Sequence, residues 1–129
     1  MIKILISILF IFVFISCDDT ITSKELDQRE IPSTNVSFRE HIQPVLEIKC
    51  NICHDDANRA GGLSLTSWVN VTSDPGIVFP GEPQNSRLVW AIQGQTGASI
   101  MPPLTTGIQL TQGQRTGIVT WIQEGAKNN

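Results

Sequence analysis

Cys50-Asn51-Ile52-Cys53-His54 puts two thiols and an imidazole within five consecutive residues. Two thiols three positions apart can each close a thioether onto one face of a porphyrin. The histidine that follows then presents its ring nitrogen to the iron. A polypeptide built this way holds haem covalently and can move single electrons. Two other chemistries use similar residues. A structural zinc needs four Cys or His ligands, and beyond this motif and Cys17 the chain offers only His41. His41 precedes Cys50 by nine residues on the same expected helix, a poor geometry for a shared ion. A redox dithiol gains reactivity from a neighbouring histidine, but the alternating strand–helix pattern of such proteins is absent.

With His54 on one side of an iron, the opposite side needs a second donor. Thioether sulfur is soft and suits it, and Met101 is the one methionine besides Met1. Pro102 and Pro103 follow directly. A residue before proline is pushed into extended backbone, so this sequence stiffens the segment and fixes the sulfur at little entropic cost. The alternative is a methionine that fills the core. His41 is the rival donor, and on the first helix it reads as a solvated side chain.

The remaining thiol, Cys17, belongs to an address. Met1 to Lys3 is a short positive start, Ile4 to Ile15 is apolar except for Ser7, and Ser16 precedes Cys17. This predicts an export signal over 1–16. Phe14-Ile15-Ser16-Cys17 resembles a bacterial lipobox, with Phe14 where leucine is usual, and the resemblance implies a lipid on Cys17. As an uncleaved helix, Ile2 to Ile15 would span only about 21 Å against a hydrocarbon core of about 30 Å. From Asp18 to Val36 the chain is polar and lacks apolar periodicity. It predicts a lipidated flexible tether over 17–36, with a reach of about 24 Å. The folded unit is then 37–129, on the periplasmic or extracytoplasmic side of the cell envelope, lipid-anchored to a membrane. Haem attachment in bacteria also takes place outside the cytoplasm, so both readings agree.

The elements that must position these residues are helical. Ser37-Phe38-Arg39-Glu40 reads as a capping box, and Phe38, Ile42, Val45 and Leu46 share one helical face. Pro44 predicts a kink or a restarted turn in that run. Leu63-Ser64-Leu65 predicts an extended passage before a short helix capped by Thr66. A helix from Ser86 to Gln93 should turn Leu88, Ala91 and Ile92 inward and end at Gly94. Thr111-Gln112-Gly113-Gln114 is a second capping box, opening a last helix with Ile118, Trp121 and Ile122 as its stripe.

At 129 residues, with five Phe, three Trp and no Tyr, the chain supports one domain with a modest core. Small cores of this kind are commonly supplemented by a cofactor. Twelve acidic against nine basic residues speaks against a nucleic-acid partner.

Taken together, Phe38 to Leu46, Cys50 to His54, Gly61 to Leu65, Pro80 to Ser86, Met101-Pro102-Pro103 and Trp121 to Ala126 resemble, in order, the class I c-type cytochromes. The resemblance covers 37–126. It implies an all-α cytochrome c fold, a single small domain with crossed N- and C-terminal helices around one covalent haem c, and with Phe38 and Trp121 near the crossing. Cys50 and Cys53 would carry the haem, with His54 and Met101 as iron ligands. Familiar members orient the axial imidazole with the carbonyl of a Gly-Pro pair. Here Gly61-Gly62-Leu63 stands in that stretch without proline, and an unspecified backbone carbonyl should take the role. The expected function is a membrane-tethered carrier of single electrons between redox protein donors and acceptors. The alternatives are a haem subunit of a larger oxidoreductase complex, or a small haem enzyme or gas sensor if Met101 leaves the iron open.

Overall fold

The computed structural model describes residues 21–95 and 97–129. The expected export signal and Cys17 lie outside them. Among the described residues there are no strands, and the fold class is all-α. The helices are α1 (Ser23–Gln28), α2 (Gln43–Lys49), α3 (Asn51–His54), α4 (Trp68–Thr72), α5 (Arg87–Gln93) and α6 (Gln112–Gln123). A π-helical turn at Phe38–Ile42 runs directly into α2.

That entry is shaped by Pro44. Proline has no N–H and its ring crowds the carbonyl four residues earlier. The chain answers with a wide turn, in which Ile42 N–H donates to the Ser37 carbonyl and Gln43 N–H to the Phe38 carbonyl. Ser37 caps the turn by accepting from Glu40 N–H at 3.2 Å. The reciprocal bond differs from the expected box, because His41 Nδ1, not the Glu40 carboxylate, accepts from Ser37 N–H at 2.9 Å. His41 is therefore half-buried and engaged rather than solvated.

Phe38, Ile42, Val45 and Leu46 are all buried, as their helical spacing requires. They meet Ile118, Trp121 and Ile122 of α6 and Leu88, Val89 and Ile92 of α5 in one core. Phe38 and Trp121 mark the place where the π-helical turn meets α6, with ring centroids 5.3 Å apart and tilted 39°. Trp121 is completely buried, and its indole N–H donates to the Lys127 carbonyl at 2.9 Å. Burying one such large side chain stabilises the fold by about 1.5–3 kcal/mol. Thr111 and Gln114 form the expected capping box at the start of α6. At α4 the cap is Ser67 and not Thr66; Thr66 is drawn instead to Asp56 and Asn70.

One stretch departs from its sequence expectation. Residues 21–36, expected as part of a flexible tether, are packed against the body. Thr22 caps α1, Leu26 and Val36 are buried, and Ile31 presses on α6 so closely that a Cβ on Gly117 would lie 2.6 Å from its Cγ2. Lys49, itself buried, reaches Asp27 at 2.9 Å and Ser23 at 2.8 Å. Glu124 accepts from Asn35 and Val36 N–H at 2.6 and 2.9 Å. Leu26, Ile31 and Val36 recur every five residues, which matches neither the helical nor the strand period. Leu26 and Val36 are buried and Ile31 is half-buried, each singly along an irregular strap, so no periodic signal announced it.

Candidate haem-attachment site

Lys49 ends α2 and Cys50 (φ −118°) joins it to α3, so the whole C-x-x-C-H run is one helical turn. Cys53 N–H and His54 N–H both donate to the Cys50 carbonyl, at 3.1 and 3.0 Å. The turn that carries the first thiol thus also fixes the second thiol and the imidazole. The next loop locks it from the other side, because Leu65 N–H donates to the His54 carbonyl at 2.8 Å.

That loop holds its shape through two aspartates. Asp55 accepts from Ala57 N–H at 3.0 Å, as in an Asx turn. Asp56 accepts from the Ser64 and Thr66 hydroxyls at 2.7 and 3.1 Å, and these bonds hold its carboxyl below the ordinary carboxylate range. Neither aspartate was singled out by sequence reasoning. Short polar side chains in a loop carry no periodicity, and their partners lie up to 14 residues away.

The two cysteines share a turn but not an environment. Cys53 is exposed, whereas Cys50 packs against the core cluster and burial pushes its thiol up to about 12. A free thiolate at Cys50 is therefore disfavoured, and with it a reactive redox dithiol. A neutral thioether carries no such penalty. Among the described residues no three His, Cys, Asp or Glu side chains group as a metal site, which leaves the four-ligand zinc arrangement without a counterpart.

Met101 lies on a different segment. Gly94 (φ +62°) caps α5 in left-handed backbone that glycine adopts freely. The chain then folds back, so that Ile100 covers Gly94 and Met101 N–H donates to the Ala91 carbonyl at 2.9 Å. Met101 is half-buried, and its peptide bond to Pro102 is cis. The structure thus gathers Cys50, Cys53 and His54 on one turn and pins Met101 at the end of α5. A groove of about 410 Å³ between α5 and α6, lined by Ile92, Ile100, Arg115 and Val119 among others, includes none of these four.

Two features of the protein fit a covalent haem. His54 Nδ1 is buried and has no hydrogen-bond partner among the described residues, the signature of an imidazole whose orientation serves something besides the protein's own packing. Large apolar side chains beside the expected ligands also face outward: Ile52 between the cysteines is 60% exposed, and Ile100 and Leu104 around Met101 are 39% and 68% exposed. A flat apolar plate would cover surface of this kind. Among the described residues no backbone carbonyl receives the His54 ring N–H.

Residues 50–105 match the family model described as Planctomycete cytochrome C, which makes the stretch from the C-x-x-C-H turn to the Met101 loop cytochrome c-like. Among characterised proteins, the hydrazine synthase subunit alpha of Kuenenia stuttgartiensis is 32% identical over 123 positions, which cover 71% of this chain and 15% of that protein. The chain thus corresponds to a small part of the length of the relative it matches. No solved structure matches it.

Proposed function

We propose that this chain is a single-haem c-type cytochrome of the class I kind, tethered to a membrane and carrying electrons between extracytoplasmic redox proteins. The observation that carries the reading is the C-x-x-C-H turn, pinned through the Cys50 and His54 carbonyls within a stretch that matches a cytochrome c family model. Cys50 and Cys53 would hold the porphyrin through thioethers, His54 would supply one iron ligand and Met101 the other. When bound, haem supplies one-electron redox chemistry and a potential that a methionine ligand raises. The chain's own part is positioning. α3 holds imidazole and thiols on one turn, the fold-back onto α5 holds the Met101 backbone, and Ile52, Ile100 and Leu104 offer exposed apolar surface that a porphyrin would cover. If His54 and Met101 both ligated the iron, no position would be left for a substrate, which favours a carrier over a haem enzyme or gas sensor.

The attachment to the membrane would come from a lipid on Cys17 after removal of 1–16. No helix among the described residues is long and apolar enough to cross a membrane. A lipid anchor would raise the local concentration of this domain near membrane-bound donors and acceptors.

A second reading is favoured by one observation, the likeness to a subunit of hydrazine synthase. In it the chain is a haem-bearing part of a larger oxidoreductase complex. The two divide on isolation from detergent-solubilised membranes, where a free shuttle purifies alone and a subunit brings its partners. The primary test is the mature protein made in a host competent in cytochrome maturation. We expect a mass increased by one haem and a reduced visible spectrum of low-spin type. Colourless protein with the mass of bare polypeptide would overturn the proposal.

A further inference from the structure

Asn51 Oδ1 and His54 Nδ1 are both buried, and both lack a hydrogen-bond partner among the described residues. Such atoms are rare in folded proteins, and each costs roughly what a lost hydrogen bond costs. Here two of them sit three residues apart on the same turn, α3. Their chemistry is complementary. An imidazole that gives Nε2 to a metal carries its hydrogen on Nδ1 and can only donate there, while an amide oxygen can only accept.

The helix geometry brings them within reach. Residues at i and i+3 are neighbours on a helix surface, and side chains lean toward the helix N-terminus. Asn51 and His54, at opposite ends of α3, stand in that i, i+3 relation. The His54 backbone is held at both ends, by the Cys50 carbonyl and by Leu65 N–H, so only side-chain torsions separate the ring from the amide. No backbone carbonyl among the described residues accepts from His54 Nδ1.

We infer that Asn51 is a positioning residue, whose side-chain oxygen accepts the Nδ1–H of His54 and so sets the orientation and basicity of the axial imidazole. This role would otherwise fall to a backbone carbonyl. It rests on His54 ligating haem iron, as in the proposed function. An acceptor on Nδ1–H makes a ligating imidazole more electron-rich, which favours the oxidised metal and lowers the potential.

The test uses the full matured protein and three readouts: mass for covalent haem, reduction potential, and exchange of the His54 Nδ1 proton by NMR of the reduced form. Asn51→Ala should keep the haem, raise the potential and speed Nδ1–H exchange roughly tenfold through loss of one buried hydrogen bond. Asn51→Asp, which restores an oxygen at the same place, should keep slow exchange and lower the potential below that of the unmodified protein. Unchanged exchange and potential in Asn51→Ala would overturn the inference. If that variant yields no holoprotein, Asn51→Asp decides: a His54 ring nitrogen shift identical to the unmodified protein's sinks the idea. Absence of covalent haem from the unmodified chain is a different result, and it overturns the reading beneath the inference.

Discussion

Cys50, Cys53, His54 and Met101 differ in how firmly the fold holds them, and the difference predicts what each replacement does. Both cysteines lie on a turn fixed by backbone bonds, so Cys50→Ser or Cys53→Ser should leave the turn intact while removing a thioether. We expect loss of stable haem in each variant and none attached in the double variant, read by mass after denaturation. Met101 is held through its N–H to the Ala91 carbonyl and the fold-back over Gly94, with no second backbone bond among the described residues. Met101→Ala should therefore preserve the fold, lower the reduction potential and allow cyanide or imidazole to bind, measured by titration and visible spectroscopy. An unchanged spectrum and titration would assign the second ligand to another side chain. His41 is a weak substitute, since its Nδ1 already accepts from Ser37 N–H at 2.9 Å.

Elements here are short, and their contacts with one another matter more than their own propensities. The clearest case is the strap over α6. Gly117 has no side chain because Ile31 occupies that space, at 2.6 Å from where a Cβ would stand. Gly117→Ala should cost about 1–3 kcal/mol through overpacking, although alanine is the better helix former by about 1 kcal/mol. In an Ile31→Ala background the same change should be neutral or stabilising, and denaturant unfolding of the four variants measures that coupling. The Lys49–Asp27 pair ties α2 to α1 with the cation buried and the carboxylate partly exposed. Asp27→Ala leaves Lys49 buried beside the Ser23 hydroxyl alone, and removing one partner of a buried pair costs up to about 3–5 kcal/mol. Loss of less is expected here because Asp27 still meets solvent.

For the molecule as a whole, Asp27 also links stability to pH. Burial opposes its charge, but hydrogen bonds from Lys49 and Gln114 outweigh that, and its carboxyl is held below the ordinary value. A carboxylate depressed in the folded state contributes fully above its unfolded value, and the contribution is lost as pH falls through the folded one. Thermal stability should therefore fall on acidification below the usual carboxylate range, and less so in Asp27→Asn. Packing of residues 21–36 also changes the picture of the tether. If Cys17 carries the lipid, only a few residues separate it from Thr22, where α1 is capped, so the domain would sit close to the membrane rather than swing at the reach of a longer coil. Cys17→Ala should release the protein from the membrane fraction, and its retention there would favour an uncleaved anchor.

The C-x-x-C-H turn, the helical class and the α6 and Ser37 caps were legible in the chain itself, because each depends on residues within a few positions of one another. A thiol three places before another and four before an imidazole needs no tertiary context, and neither does a threonine three places before a glutamine. What lay beyond the sequence was long-range. That Ile31 would fill the space over Gly117, that Lys49 would be buried against Asp27, and that Glu124 would hold Asn35 and Val36 N–H are contacts 22 to 89 positions apart. The missing partner of His54 Nδ1 was equally invisible, since burial is a property of the packed whole. Local spacing dictates which bonds a turn can make, and only the closed fold decides which polar atoms are cut off from water.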